Sequence, residues 1–350
     1  MLTPHRKRYD DATAIERRAA PIADAIATQL LRPTSERSPV ADLLADLRDL
    51  MAPAQGHLPH LRHTDATALA GRLRAWPRVQ QAAELCAAGQ VWPLMPPPPD
   101  PLDPLSVQGL MLSSAFTTLH FAVSSRPQTD HAEGMGLFPD LPLDAARFLA
   151  NAHLALRVLL AQKRQGPFRF IDVGCGGGLK VVLASEVFQS ADGLEYDAGY
   201  AEIGRRTIAT MRSRRCTVTE GDGLNFDGYG GYDVIYFYQP MRVEFGLHDL
   251  EERIVEQARP GTILIAPYLI FSERAQSLGC AGIAGSVYVK GLDPDQATVL
   301  ATEAARMGPH IVNPTGRLTR RLGWLAPLAQ ACEMNGIRPG YRGGGLSALL

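Results

Sequence analysis

Residues 170–178 read FIDVGCGGG, and this stretch decides the fold. The apolar residues around Asp172 predict a short strand over 170–173, and the glycines that follow predict a tight turn. The next segment, LKVVLASEVF (179–188), has the periodicity of a helix. A strand, a glycine turn and a helix N-terminus in this order favour a nucleotide-like ligand, because bare backbone and free N–H groups can approach it.

The spacing of the glycines separates two kinds of ligand. The dinucleotide fingerprint G-x-G-x-x-G would begin at Gly174 and Gly176 and require a third glycine at position 179, where this chain has Leu179. The pattern present is acidic-x-Gly-x-Gly-x-Gly, from Asp172 to Gly178. By itself this pattern is also compatible with glycines that serve only the turn.

Two acidic positions downstream extend the pattern. SADGLEYD (190–197) predicts a second strand that ends at Glu195, about 20 residues after the turn, where a βαβ unit offers a carboxylate to ribose hydroxyls. CTVTEGDG (216–223) predicts a third strand that runs into Asp222 and Gly223. Taken singly, either carboxylate is also compatible with a solvated strand end or an ordinary turn.

Three more segments complete the series: GYDVIYFYQP (231–240), ARPGTILIAPYL (258–269) and LGCAGIAGSVYVKG (278–291). The first, apolar and aromatic, predicts a fourth strand. In this order, residues 145 to 291 resemble the class I S-adenosylmethionine (SAM)-dependent methyltransferases. The resemblance implies that the second segment is the family's Pro-Gly turn with its fifth strand, and that the third is the antiparallel hairpin that closes such sheets. The resemblance implies an α/β fold with a doubly wound, seven-stranded Rossmann-like sheet, and SAM as the cofactor.

The resemblance also implies a set of cofactor-binding residues. Asp172 and the turn would hold the methionine end of SAM, Glu195 the ribose and Asp222 the adenine. Cys175 is expected to be a small filler and not a nucleophile, because no histidine is near it in sequence. The complete set is Asp172, Gly174, Cys175, Gly176, Gly178, Glu195, Asp222 and Gly223.

In this family the methyl acceptor lies beside the loop after the fourth strand, here Tyr238, Gln239 and Pro240. These three residues are the candidates for substrate binding, and Tyr238 is the candidate catalytic residue. Some amine-methylating relatives carry an Asn/Asp-Pro-Pro-aromatic motif at this place. Gln239 departs from that motif, so the sequence leaves open whether the acceptor atom is oxygen or nitrogen.

Other functions stay open at this point. The glycine turn and the helix after it are distantly similar to Dot1-type lysine methyltransferases, so a protein acceptor is one alternative. A catalytically degenerate subunit that binds a partner is another, since fold does not imply function. A synthase that uses decarboxylated SAM would need paired acids where this chain has Tyr238, Gln239 and Pro240.

Composition limits the partners. The 350 residues are 46% apolar and 20% charged, with a formal net charge of −1, which gives no general attraction to nucleic acid or anionic membrane. The longest apolar run, 263–271, is too short to span a membrane. The five cysteines are scattered, which favours reduced thiols in the cytoplasm. We therefore expect a cytoplasmic enzyme with a small-molecule substrate, without nucleic acid or membrane partners.

The chain is predicted to have three parts. Residues 1–104 form a helical region that ends in a proline-rich connector and offers helices for oligomerisation. Residues 105–291 form the methyltransferase domain, preceded by apolar lid helices that suit a small acceptor or simply pack on the sheet. Residues 292–350 form a helix and a tail. The histidine cluster His57, His60 and His63 is interrupted by Pro59, and no metal site is predicted.

Overall fold

A computed structural model describes residues 4–32, 36–60, 67–97, 100–124, 126–142, 144–213, 215–309 and 322–340. The chain forms two compact units. One contains the described residues of Met1–Trp92 and Arg306–Gly343, and the other those of Pro93–Ala305. The three-part division predicted at residues 104 and 291 stays a proposal.

The first unit is helical. Its helices are α1 (Pro4–Leu31), α2 (Ala41–His57), α3 (Thr67–Ala87) and α12 (Ala326–Met334). Their apolar faces meet in one core, which includes Ile26, Leu47, Leu73 and Leu328. Arg72 of α3 donates to both carboxylate oxygens of Glu16 of α1, at 3.1 and 2.9 Å. The predicted helical character of this region is confirmed for the described residues.

The second unit begins with three helices, α4 (Pro104–Val123), α5 (Asp130–Gly134) and α6 (Ala145–Ala161). By pattern alone, the mostly apolar residues 106–125 are compatible with helix or strand, and in the structure they lie mainly in the helix α4. The Asp103 carboxylate caps it by accepting from the Ser106 N–H at 2.9 Å. The periodicity of residues 144–166, with a Lys/Arg-rich end and Gly166, predicts one helix that ends at Gly166. In the structure α6 ends at Ala161, five residues earlier.

A seven-stranded sheet forms the centre of this unit. Its strands are β1 (Arg169–Val173), β2 (Ser190–Glu195), β3 (Cys216–Glu220), β4 (Val234–Phe237), β5 (Ile263–Ile265), β6 (Cys280–Ala284) and β7 (Val287–Lys290). The order is β3-β2-β1-β4-β5-β7-β6. The first five strands are parallel, and β7 runs antiparallel to both of its neighbours. The predicted seven-stranded α/β fold is confirmed.

Helices connect and cover the strands. They are α7 (Leu179–Val187), α8 (Ala198–Thr210), α9 (Leu247–Gln257), α10 (Leu269–Arg274) and α11 (Pro294–Arg306). Phe148 of α6 lies edge-on to Tyr236 of β4, with ring centroids 5.1 Å apart. Phe170 of β1 stacks on Phe188 at 5.4 Å. None of the helices in the described ranges is long and apolar enough to cross a membrane.

The connectivity places a ligand crevice at one position. From β1 the chain proceeds outward to β2 and β3, then returns to the other side of β1 for β4 and β5. Parallel open sheets bind ligands where the strand order reverses, outside the carboxyl ends of the strands. Val173 and Phe237 are paired at those ends of β1 and β4, so the turn at 174–178 and the loop after β4 face the same crevice.

Candidate active site

A cavity of about 230 Å³ lies at the carboxyl ends of the strands. It brings together most residues that the sequence singled out: Gly174, Gly176, Glu195, Asp222, Gly223, Tyr238, Gln239 and Pro240. Asp172, Cys175 and Gly178 are not among the described residues that line it. Met135 and Phe138, in the apolar segment 106–140 that the sequence predicts as a lid over the acceptor pocket, also line it. The sequence did not single out Asp140 or the cation Lys180, which line it too.

Both the backbone conformation of the turn and the lack of room for a Cβ require glycine there. Gly174, Gly176 and Gly178 have φ values of 77°, 54° and 78°, a region that L-residues rarely adopt. A Cβ on Gly174 would lie 2.7 Å from the Pro240 Cβ, and one on Gly176 would lie 2.2 Å from the Asp140 Oδ1. The turn is therefore in close contact with both the loop after β4 and the segment before β1.

Glu195 is buried at the end of β2 and holds the turn in place. Its Oε2 accepts from the Gly176 N–H at 2.8 Å, and its Oε1 accepts from the Asp197 N–H at 2.9 Å. Burial raises its pKa to about 7, against the opposing effect of these two hydrogen bonds. A carboxylate offers roughly four acceptor sites, so Glu195 retains acceptor capacity toward the cavity that it lines.

Asp172 lies behind the cavity wall. It is fully buried, and neither of its carboxylate oxygens has a hydrogen-bond partner within the described structure. The Nζ of Lys180, whose side chain is 12% exposed, is 4.0 Å from the Asp172 Oδ2. Burial raises the pKa of Asp172 to about 7, and the nearby Lys180 ammonium opposes that rise.

Asp222 and Gly223 form a tight turn after β3. The Asp222 Oδ1 accepts from the Leu224 N–H at 2.9 Å, and its Oδ2 accepts from the Asn225 Nδ2 at 2.6 Å. The Gly223 carbonyl accepts from the Tyr229 hydroxyl at 2.9 Å. Asp222 thus forms the ordinary turn that is one of the two roles compatible with the sequence. It also lines the cavity, as its other role of binding a ligand requires.

Cys175 and Gly178 pack closely against neighbouring glycines, Gly193 and Gly204. Cys175 is buried, and its Sγ lies so close to Gly193 that a Cβ there would be 2.5 Å away. Burial raises the pKa of the Cys175 thiol well above its usual value, which disfavours the nucleophilic thiolate. Gly178 packs against the backbone of Gly204, since a Cβ on it would lie 3.1 Å from the Gly204 Cα.

The loop after β4 is joined to the segment before β1. Leu137 forms an antiparallel bridge with Met241, and the Phe138 N–H donates to the Pro240 carbonyl at 3.1 Å. Gln239 has a φ of 41°, which is rare for a residue with a side chain. A non-glycine residue held in this region is a frequent feature of functional sites. Tyr238 is 48% exposed at the cavity mouth.

Asp140 is the site residue that sequence reasoning missed. Its Oδ2 accepts from the Gly177 N–H at 2.9 Å and from the Ser124 hydroxyl at 2.6 Å, and lies 3.7 Å from the His120 Nδ1. Asp140 therefore attaches the 135–142 segment to the glycine turn. The sequence feature that could have identified Asp140 is a single carboxylate between two prolines, in the apolar stretch LFPDLP (137–142).

The histidine cluster lies only partly within the described residues. His57 ends α2 and His60 ends the short 3₁₀ turn Leu58–His60, whereas His63 lies outside the described residues. Within the described ranges, no three His, Cys, Asp or Glu residues are grouped so that they could hold a metal ion.

The comparisons with known proteins agree with this geometry. Residues 148–283, less than half of the chain, match the family model of the protein-L-isoaspartate(D-aspartate) O-methyltransferases. This match covers the glycine turn, the acidic residues after β2 and β3, and five parallel strands in the order described above. Over these residues the chain is similar to a methyltransferase family, in agreement with the resemblance that the sequence predicts. The predicted enzyme class and the predicted cofactor SAM agree with this match.

Solved methyltransferase structures resemble parts of the chain. The amino pentose methyltransferase CalS10 from Micromonospora echinaspora is 21% identical over 36% of this chain and 52% of its own length, with a TM-score of 0.29. An RNA methyltransferase from Salinibacter ruber is 17% identical over 41% of this chain and 94% of its own, with a TM-score of 0.30. The chain thus spans about half the length of CalS10. Curated proteins give no match.

Proposed function

We propose that this methyltransferase moves a methyl group from SAM to an oxygen or nitrogen atom of a small, largely apolar acceptor. The single observation that carries the proposal is the shared cavity of the glycine turn and the loop after β4. The two loops touch at Gly174 and Pro240. A methyl donor on the turn and an acceptor beside Tyr238 would therefore be neighbours.

The residues present fit SAM. Gly174 and Gly176 line the cavity without side chains, so a ligand can approach their backbone. The Glu195 carboxylate, with acceptor sites left over, suits the ribose hydroxyls. Beyond it, Asp222 and Gly223 line the part of the cavity near β3, where the adenine would lie. Asp172 would act on the methionine end, as the sequence predicts.

SAM supplies a methyl group that is already electrophilic on its sulfonium sulfur. The protein then has to align the acceptor with this methyl group and keep water out. Tyr238, Gln239 and Pro240 are placed to do so, on a loop that the Leu137–Met241 bridge holds in position. An acceptor that is already an anion, or an amine that is already neutral, needs no base before the transfer.

The cavity mouth indicates the kind of acceptor. Four large side chains there remain substantially exposed: Met135 (44%), Phe138 (37%), Leu141 (46%) and Tyr238 (48%). Exposed apolar groups around a concave site favour an apolar ligand body. A nucleic acid would instead call for a basic groove. Small-molecule binding, the absence of a nucleic acid partner, oligomerisation through the N-terminal helices and a cytoplasmic location remain proposals.

The experiment is a methyl-transfer assay with labelled SAM and a panel of small phenols, carboxylic acids and amines in matched apolar and polar pairs. We expect transfer to the apolar member of a pair, and a loss of at least tenfold in kcat/KM when Tyr238 is replaced by Ala. Glu273→Ala, an exposed change on α10, is the control. Tight cofactor binding without transfer to any compound would favour the alternative of a degenerate binding subunit.

A protein acceptor is the second candidate, and the family match favours it. The matched family is described as methylating isoaspartyl carboxylates. A peptide with one isoaspartyl residue, compared with the same peptide carrying aspartate, tests this candidate in the same assay. A lysine-containing peptide tests the lysine alternative.

A further inference from the structure

Lys180 occupies a position that is costly for a cation. It is the second residue of α7, in the first turn after the Gly178 cap. The N-terminus of a helix carries a partial positive charge, which disfavours a lysine there. Burial adds a desolvation cost, because the side chain is only 12% exposed. A polar residue with an exposed side chain would destabilise this turn less than a buried lysine does.

The surroundings keep Lys180 charged. Its Nζ is 4.0 Å from the Asp172 carboxylate, beyond hydrogen-bond length. Burial alone would lower the pKa of Lys180, but Asp172, Tyr236 and Asp140 raise it above the usual value. Asp172 is therefore a counter-ion behind the cavity wall, while Lys180 itself lines the cavity.

The position of Lys180 in the cavity indicates which part of SAM it would contact. Asp222 and Gly223 lie after β3, and Lys180 lies beside Tyr236 of β4, on the other side of Glu195 in the strand order. With adenine near β3 and ribose at Glu195, the amino-acid end of SAM points toward Lys180. That end carries a carboxylate, for which a buried ammonium is a strong partner.

We propose that Lys180 binds the carboxylate of the methionine part of SAM, and that Asp172 acts through Lys180 as a positioning residue. This inference rests on the proposed function and revises the part of it that placed Asp172 against the ligand. Arg147 also lines the cavity and is the competing cation. Arg147 also lies in the first turn of its helix, α6, but it is exposed, whereas the Lys180 side chain is only 12% exposed and lies beside a buried carboxylate.

The experiment compares three ligands by titration calorimetry at pH 8. SAM carries the carboxylate, decarboxylated SAM lacks only that group, and 5′-methylthioadenosine lacks the whole amino-acid end. For the wild type we expect SAM to bind about tenfold to a hundredfold more tightly than decarboxylated SAM, the scale of a charged hydrogen bond. In Lys180→Met this ratio should fall to about threefold or less, with 5′-methylthioadenosine binding unchanged.

Two further variants serve as controls. Lys180→Arg should retain most of the preference for SAM over decarboxylated SAM, and Lys290→Met on β7 should retain all of it. If Lys180→Met does not fold, Lys180→Gln is measured in its place. The ratio of the SAM and decarboxylated SAM affinities in the wild type remains a separate test. A wild type that does not distinguish SAM from decarboxylated SAM overturns the inference. So does loss of the ratio in Arg147→Met but not in the Lys180 variants. Failure of the wild type to bind any of the three ligands would instead overturn the proposed function.

Discussion

The Glu195 carboxylate accepts a hydrogen bond from the Gly176 N–H at 2.8 Å, so the residue expected to bind ribose also fixes the glycine turn. Its second oxygen accepts from the Asp197 N–H at 2.9 Å. Asp197 in turn caps α8 and accepts from the Thr129 N–H and hydroxyl at 2.8 and 2.7 Å. One buried carboxylate thus connects the turn to the end of β2.

Replacing Glu195 should therefore affect both binding and stability. From the sequence, Glu195→Ala is expected to weaken SAM binding by about 1.5–3 kcal/mol and leave the fold intact. The structure adds a cost to the fold, since the Gly176 and Asp197 N–H groups lose a buried acceptor, worth about 1–3 kcal/mol. Calorimetry and urea unfolding measure the two effects. Glu202→Ala, an exposed change on α8, is the control, and unchanged binding would place the ribose contact elsewhere.

Asp140→Ala should detach the 135–142 segment from the turn. The Gly177 N–H and the Ser124 hydroxyl lose their shared acceptor, and we expect a loss of about 1–3 kcal/mol in unfolding free energy with weaker cofactor binding. Thermal unfolding with and without S-adenosylhomocysteine measures both. Asp130→Ala, an exposed acid on α5, should have no comparable effect. Equal behaviour of the two variants would contradict the role given to Asp140.

Gly176→Ala should abolish cofactor binding. Its φ of 54° strains any side chain, and the added Cβ would lie 2.2 Å from the Asp140 carboxylate. Gly71→Ala is the matched control, because Gly71 lies inside α3 with no atom within 4 Å of the new Cβ. That change should stabilise the protein by about 0.5–1 kcal/mol through helix propensity. Calorimetry and urea unfolding on both variants decide, and normal binding by Gly176→Ala would contradict the geometry of the turn.

The two buried carboxylates predict a pH dependence. Burial raises the pKa of both Asp172 and Glu195 to about 7, above their values of 3.8 and 4.5 in the absence of the fold. Between about pH 4 and 7 the folded ligand-free protein then binds more protons than the unfolded chain, so these groups make it less stable as pH rises. Hydrogen bonds from Thr129 lower the pKa of Asp197, whose contribution is constant in this range.

Ligand binding should show the opposite trend at Glu195, because ribose hydroxyls that donate to this carboxylate favour its ionised form. We expect the affinity for SAM to increase from pH 6 to pH 8. Calorimetry at several pH values, with melting curves of the ligand-free protein, measures both trends. An affinity that falls over this range would show that Glu195 does not accept from the ribose as proposed.

Much of the fold could be predicted from the sequence because most strands are short apolar or β-branched runs that end in a polar or glycine turn. β2 ends at Glu195, as predicted, and the hairpin falls within 278–291. Contacts between distant segments were not readable. The approach of Asp140 to Gly177 depends on where a loop folds back. The burial of Asp172 behind Lys180 depends on side-chain positions that spacing does not specify.

The central claim is that the glycine turn binds an adenosyl amino acid and not a dinucleotide. The most direct measurement is calorimetric titration of the folded protein with S-adenosylhomocysteine and, separately, with NAD. We predict a dissociation constant in the micromolar range for S-adenosylhomocysteine, typical of cofactor sites, and no binding of NAD, because Leu179 replaces the third glycine of the dinucleotide fingerprint. Binding of NAD, or the absence of heat with S-adenosylhomocysteine, would contradict the account.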